Sequence, residues 1–202
     1  IFLADRDLAI AVAAAAGWEF RKNPEPRSPV LGAIAMKKGE TELQVDVLRS
    51  VTGLSAGDLT ETESIVFANG KSYSVPAPDA LLKAKLANLA AYDQRGRQDE
   101  RHARILIQCC AHYLTDACEA VRAGDLSERE AVQRFMAAQR VVTSARARRL
   151  ETKFDLGLSG AIPARNSLGK TADLPRLRAF YEHQIERKKG KSSRTGGDER
   201  RR

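Results

Sequence analysis

The pattern of apolar residues changes once along the chain, near Pro76 and Pro78. Before these prolines, short β-branched stretches alternate with turn signals, of which Asn69-Gly70 is the strongest, and this pattern is typical of hairpins. After Asp79 the apolar residues recur with the spacing of amphipathic helices. Strands with one helix, followed by helices alone, predict an α+β fold. We expect a small mixed sheet followed by a helical C-terminal part.

Local signals predict the individual elements. In the first part we expect a strand at residues 1–4, a helix at 5–16, a strand at 18–22, and hairpins at 30–50 and 64–75. In the second part, the spacing of Leu82, Leu86 and Leu89 predicts one helix. Further helices are expected at 99–121, from the capping box of Ser127 and Glu130 to about residue 150, and at 173–187.

These elements divide the chain into three regions. Residues 1–78 form the sheet-containing core, residues 79–187 form the helical region, and residues 188–202 form a basic tail. The tail is rich in serine, glycine and charge, and such a composition predicts disorder.

The net charge of +8 is unevenly distributed. The tail carries much of it, and a second basic cluster lies on a predicted helix, formed by Arg140, Arg146, Arg148 and Arg149. One interpretation is a surface that binds the phosphate backbone of a nucleic acid. The alternative is a solubilising tail beside a solvated helix face.

Several classes of protein are disfavoured by the sequence. No apolar run approaches the ~20 residues of a membrane span, so we expect no membrane association. The apolar stretch at 8–17 is not preceded by the cationic segment of a signal peptide. Three cysteines without framework spacing fit a reducing compartment, so we expect a cytoplasmic protein.

Asp46 lies in the middle of the predicted strand "ELQVDVLRS". Strand alternation places Val45 and Val47 on one face and Gln44 and Asp46 on the other. Asp46 is therefore either an outward, solvated carboxylate or a metal ligand held on rigid backbone.

A second group of candidate residues surrounds one predicted helix–helix junction. Lys85 borders the leucine seam of its helix, Arg97 precedes the next helix, and Asp99 and His102 lie in that helix's first turn, on the side of Leu106. Taken singly, a lysine beside a seam usually extends to solvent and an aspartate at a helix start usually caps it. Together they are the residue types that can hold and orient a triphosphate.

These residues resemble those of the nucleotidyltransferase-fold superfamily. The "VDVL" strand is similar to its third-carboxylate strand, and the Lys85-Leu86 helix followed by Arg95-x-Arg97-x-Asp99 resembles the AbiEii-type toxin branch of minimal nucleotidyltransferases. The start, "IFLADRDLAIAVAAAAGWEF", looks like the segment that follows the family's D-x-D pair. We therefore expect that the chain begins inside the core, and that this fragment, without the Gly-Ser loop and that D-x-D, is inactive alone.

The resemblance implies a function. Asp46 would be the catalytic and Mg²⁺-binding carboxylate, and Lys85, Arg97 and Asp99 would form the nucleotide-binding group. The reaction would transfer NMP from an NTP to a hydroxyl of RNA, such as tRNA, or of a protein, and an antitoxin partner is possible in this branch. Gln98 and His102 depart from the branch pattern, which favours lysine and aspartate there. The alternative function is a non-enzymatic basic module that binds RNA or protein.

Two further motifs carry less weight. "ARNSLGKT" at 164–171 differs from a P-loop at its first position, and no apolar strand leads into it. One helix carries Cys109, Cys110, His112 and Cys118, but it cannot direct four ligands at one tetrahedral ion. We therefore expect buried free cysteines there.

Overall fold

A computed structural model describes residues 6–25, 28–60, 62–66 and 70–184. The chain divides into two compact units, Ile1–Pro76 and Ala77–Arg202. The sequence placed this boundary after residue 78. The predicted strand at 1–4, Asn69 of the predicted turn, and the tail at 188–202 lie outside the described residues.

The first unit contains two antiparallel sheets. Its elements are α1 (Arg6–Ala15), β1 (Glu19–Lys22), β2 (Val30–Lys38), β3 (Thr41–Leu48), α2 (Ala56–Thr60), β4 (Thr62–Val66) and β5 (Ser72–Pro76). The strands β1, β2 and β3 form one sheet in that order, and β4 pairs with β5. Every strand pair among the described residues is antiparallel rather than mixed.

The core of the first unit lies between α1 and the three-stranded sheet. Ile34 of β2 and Val47 of β3 are buried with Ala13 of α1, and Trp18 and Phe20 pack against them. The alternation read from the sequence is therefore correct for β3, because Val47 faces this core while Asp46 is exposed.

The second unit is helical. Its elements are α3 (Pro78–Ala91), α4 (Asp99–Ala123), α5 (Glu128–Val142), α6 (Ala145–Phe154) and the 3₁₀ helices Leu158–Ala161 and Arg165–Asp173. Residues 175–184 are also helical. Sheets in the first unit and helices in the second confirm the α+β class. No helix among the described residues is long and apolar enough to cross a membrane.

One predicted helix is in fact two. The capping box is confirmed, because Ser127 accepts a hydrogen bond from the backbone N–H of Glu130 and Glu130 accepts one from that of Ser127. The expectation that this helix reaches residue 150 is wrong, since α5 ends at Val142. Ser144 begins α6 by accepting a hydrogen bond from the N–H of Ala147, at 3.1 Å. Serine favours this N-cap position over a helix interior.

Two clusters form the core of the second unit. The first contains the predicted seam of Leu82, Leu86 and Leu89, which is buried against Ile107 and Cys110 of α4. The second surrounds Phe135 of α5 and includes Leu114, Cys118, Leu177, Phe180 and Tyr181. The first cluster fixes α3 against α4, and this packing positions the candidate site.

Candidate functional site at the junction of α3 and α4

Asp99 is the centre of the junction. It is the first residue of α4 and only 3% exposed, the one charged residue so buried in the described part of the chain. Lys85 Nζ lies 3.0 Å from its Oδ1, and Arg97 Nε lies 2.7 Å from its Oδ2. The two carboxylate oxygens therefore each bind a different cation, and we call these three residues the Asp99 triad.

The helix α3 positions Lys85. Leu82 and Leu86 hold this helix against α4, and Lys85, directly before Leu86, lies at the edge of the buried seam. Its stem can thus run along apolar surface while its ammonium group reaches Asp99. The side chain is 30% exposed, so part of it remains in contact with solvent.

A tight turn positions Arg97. The N–H of Arg97 donates to the carbonyl of Gln94 at 3.1 Å, and Gly96 has a φ of 71°. Such a turn needs a left-handed residue at its third position, which glycine adopts without strain. Asp93 accepts a hydrogen bond from the N–H of Arg95 at 3.1 Å and orders the start of the same loop. Arg97 is thereby held beside the first turn of α4.

Two neighbours of Arg97 were not found from the sequence. Its guanidinium lies 4.9 Å from the centroid of the Tyr92 ring, within the range of a cation–π contact. Gln94 Nε2 donates to the carbonyl of Tyr92 at 2.8 Å and to that of Asn88 at 3.3 Å. Gln94 Oε1 is buried and has no hydrogen-bond partner among the described residues. Loop residues have no periodic spacing, so the sequence pattern did not identify Tyr92 and Gln94 as neighbours of Arg97.

The charges of the triad are coupled. Burial by itself would raise the pKa of Asp99, but hydrogen bonds from Lys85 and Arg97, together with their charges, lower it below its ordinary value. Asp99 is therefore ionised at neutral pH. Two cations and one carboxylate leave a net charge of about +1 on the triad, and the 41% exposure of Arg97 makes that charge accessible to an anion.

His102 does not join the triad. The sequence placed it on the same side of α4 as Asp99, but His102 is exposed. The buried face of α4 runs through Asp99, Ala103, Ile107 and Cys110. At about 100° per residue, His102 lies some 60° away from Asp99 around the helix, which is enough to place it in solvent.

Asp46 belongs to the first unit, whereas the three residues of the Asp99 triad belong to the second. It is exposed on β3, its cross-strand neighbour is Ala33, and its Oδ1 accepts a hydrogen bond from Gln44 Nε2 at 2.9 Å. Among the described residues no group of three or more histidine, cysteine or acidic side chains could hold a metal. Mg²⁺ requires near-octahedral oxygen ligands, so one carboxylate does not form a magnesium site by itself.

The cysteines of α4 are of two kinds. Cys110 and Cys118 are buried as predicted, and burial raises the pKa of their thiols to about 12 and about 11. Both are therefore neutral and unreactive. The expectation that Cys109 is buried is wrong, because its position on α4 faces solvent.

Comparison of the chain with family models, with curated proteins and with solved structures finds no match.

Proposed function

We propose that the protein is a nucleotidyltransferase-like enzyme in which Lys85 and Arg97 bind the phosphates of an NTP. The observation that carries the proposal is the Asp99 triad, in which two cations from different elements are fixed on one buried carboxylate. Transfer of a phosphate-linked group depends mainly on positioning and on charge neutralisation. Cations already held in place lose little side-chain entropy when phosphate binds.

Asp99 supports this function as a positioning residue. Its carboxylate orients both cations and cancels part of their charge, which leaves a net charge of about +1 towards a phosphate. Tyr92 is 44% exposed, and the guanidinium of Arg97 lies over its ring, which helps to hold this cation in place. The anionic chain of a nucleotide is the ligand chemistry that the cationic pair matches.

The remaining parts of the proposal come from the resemblance. Asp46 is proposed as the catalytic and metal-binding carboxylate, with Mg²⁺ as the cofactor. The proposed acceptor is a hydroxyl of RNA or protein, in the cytoplasm, and an antitoxin is a further candidate partner. Mg²⁺ would need ligands besides Asp46, because the described residues contain no group of three or more histidine, cysteine or acidic side chains that could hold a metal.

Replacing either cation should weaken NTP binding. We expect Lys85→Gln and Arg97→Gln each to reduce affinity about tenfold or more, since a hydrogen bond between charged groups contributes about 1.5–3 kcal/mol. The measurement is equilibrium binding of radiolabelled NTPs in the presence of Mg²⁺. The matched controls are Lys83→Gln on α3 and Arg101→Gln on α4, which make the same changes at neighbouring cations outside the triad. Unchanged affinity in the test variants, or equal losses in the controls, would contradict the proposal.

Asp46 is tested by transfer of label. The product of the complete open reading frame is incubated with labelled NTPs, Mg²⁺, and total tRNA or lysate. We expect Asp46→Ala to lower transfer by at least about tenfold, because positioned charge in a catalytic site contributes on this scale or above. Glu42→Ala removes an exposed carboxylate from the same strand and should have little effect. If transfer survives Asp46→Ala unchanged, the role assigned to Asp46 is wrong.

A further inference from the structure

A basic surface lies on α5 and α6, away from the residues of the Asp99 triad in sequence. Arg140 at the end of α5 and Arg146, Arg148 and Arg149 of α6 are all exposed. None of them forms an ion pair with another described residue. Arg148 and Arg149 also line a shallow hollow of about 460 Å³. We call these four arginines the basic strip.

The carboxylates of the same two helices form no ion pair with the basic strip, and their oxygens accept hydrogen bonds from backbone N–H groups instead. Glu130 belongs to the capping box at the start of α5. Glu128 accepts hydrogen bonds from the N–H groups of Arg176 at 2.6 Å and Leu177 at 3.1 Å, at the start of the helix at 175–184.

Glu151 is used in the same way on α6. Its two carboxylate oxygens accept hydrogen bonds from the N–H groups of Gly157 and Leu158, each at 3.2 Å. The acidic residues of α5 and α6 are Glu128, Glu130 and Glu151. All three therefore accept hydrogen bonds at helix ends, and none of them pairs with an arginine of the basic strip.

The packing of α6 presents this charge outward. Ala147 and Leu150 face the core, so the other side of the helix is left to solvent. Arg146, Arg149 and Lys153 recur at i, i+3 and i+7, and all three are exposed. At 1.5 Å per residue they span about 10 Å of the helix axis. This is a row of charges on the length scale of neighbouring phosphates along a nucleic-acid strand.

We propose that the basic strip binds the phosphate backbone of RNA, so that RNA rather than protein is the acceptor of the transferred nucleotide. This inference rests on the proposed function, which left both acceptors open. Protein interfaces are usually anchored by buried aromatic or other apolar side chains. The exposed positions of α6 are Ala145, Arg146, Arg148, Arg149, Thr152 and Lys153, which provide no such anchor, and on α5 Met136 is the single large apolar side chain that is exposed. Contacts with a phosphate backbone need none, and they carry no base specificity.

The test is RNA binding by the full chain in the absence of NTP. The probe is a fluorescein-labelled RNA duplex of 24 base pairs, followed by fluorescence anisotropy at several salt concentrations. Glutamine at all four strip positions should weaken binding at least tenfold and make its salt dependence shallower, because fewer counterions are released. Lysine at the same four positions keeps the charge and should retain most of the affinity.

The matched control removes the same charge elsewhere. Arg122, Arg129, Arg176 and Arg178 are exposed arginines of the same unit outside the strip. Replacing these four by glutamine should leave RNA affinity within about threefold of the parent protein, since long-range effects of net charge are screened. Both variants keep residues 185–202, so any contribution of the tail is common to them. Thermal unfolding checks that both remain folded.

Two kinds of result would overturn the inference. The strip is not a binding surface if the strip and control variants lose the same affinity. RNA is the wrong partner if a polyglutamate peptide or a DNA duplex of the same length binds as tightly and depends equally on the strip. Failure of the proposed function is distinguishable, because Lys85→Gln and Arg97→Gln would then leave NTP binding unchanged whether or not the RNA probe binds.

Discussion

Replacing Phe135 by alanine is expected to lower the free energy of unfolding of the helical unit by about 3–5 kcal/mol. Phe135 is fully buried. Its ring makes edge-to-face contacts with Phe180 at 5.4 Å and with Tyr181 at 6.0 Å, measured between ring centroids. Truncation removes buried apolar area and these contacts, and it leaves a cavity where α5 packs against residues 175–184.

Urea denaturation followed by circular dichroism measures this change. Met136→Ala is the control, because Met136 is the next residue of α5 and is 41% exposed, so its loss should cost little. Phe135→Leu should cost only about 1 kcal/mol, which gives a readable result if the alanine variant does not fold. Fluorescence of Trp18, the single tryptophan, follows the first unit during the same titration. Equal losses for Phe135→Ala and Met136→Ala would contradict the packing described for this core.

Features set by near neighbours in sequence could be predicted. The leucine seam of α3, the start of α4 at Asp99 and the capping box at Ser127 all depend on residues within two helical turns of one another. The candidate site residues around the junction of α3 and α4 could be predicted as well, because the bounds of both helices could be recognised in the sequence. Lys85, Arg97 and Asp99 are together there, as the sequence placed them.

Features that join distant parts of the chain could not be predicted. Glu128 caps a helix that begins nearly 50 residues later, and Arg104 donates to the carbonyls of Phe154 and Asp155 at the end of α6, both at 2.8 Å. Nothing in the local sequence separates these side chains from ordinary exposed charges. The break before α6 was missed for a different reason, since Thr143-Ser144 lacks the glycine or proline that usually marks a helix end.

The two candidate phosphate-binding surfaces differ in how their charges are held. In the Asp99 triad the cations are oriented by a buried carboxylate, which suits a ligand that must be placed accurately. In the basic strip the arginines are left without ion pairs among the described residues, which suits a partner that can bind in several registers. The first arrangement fits an NTP and the second fits an RNA backbone.

The triad should therefore be sensitive to the charge of Asp99. Asp99→Asn keeps the shape of the side chain but removes its charge, so two strong hydrogen bonds become weak or are lost. We expect a loss of about 2 kcal/mol in unfolding free energy at pH 7, less than for a fully enclosed pair because Lys85 and Arg97 can turn to solvent. Urea denaturation measures it. Asp93→Asn is the control, since Asp93 pairs with Arg95 in the same loop but both side chains are largely exposed.

The difference between wild type and Asp99→Asn should also depend on pH. The pKa of Asp99 is lower in the folded protein than the value of about 3.9 expected in the unfolded chain. A carboxylate of this kind stabilises the fold fully above its unfolded pKa and loses that effect as pH falls through its folded pKa. The unfolding free energies of the two proteins should thus differ by a constant amount from pH 5 to 8. The difference should shrink as the pH falls below about 4 and through the folded pKa of Asp99. A difference that persists unchanged at low pH would show that packing, not the charge of Asp99, holds Lys85 and Arg97 in place.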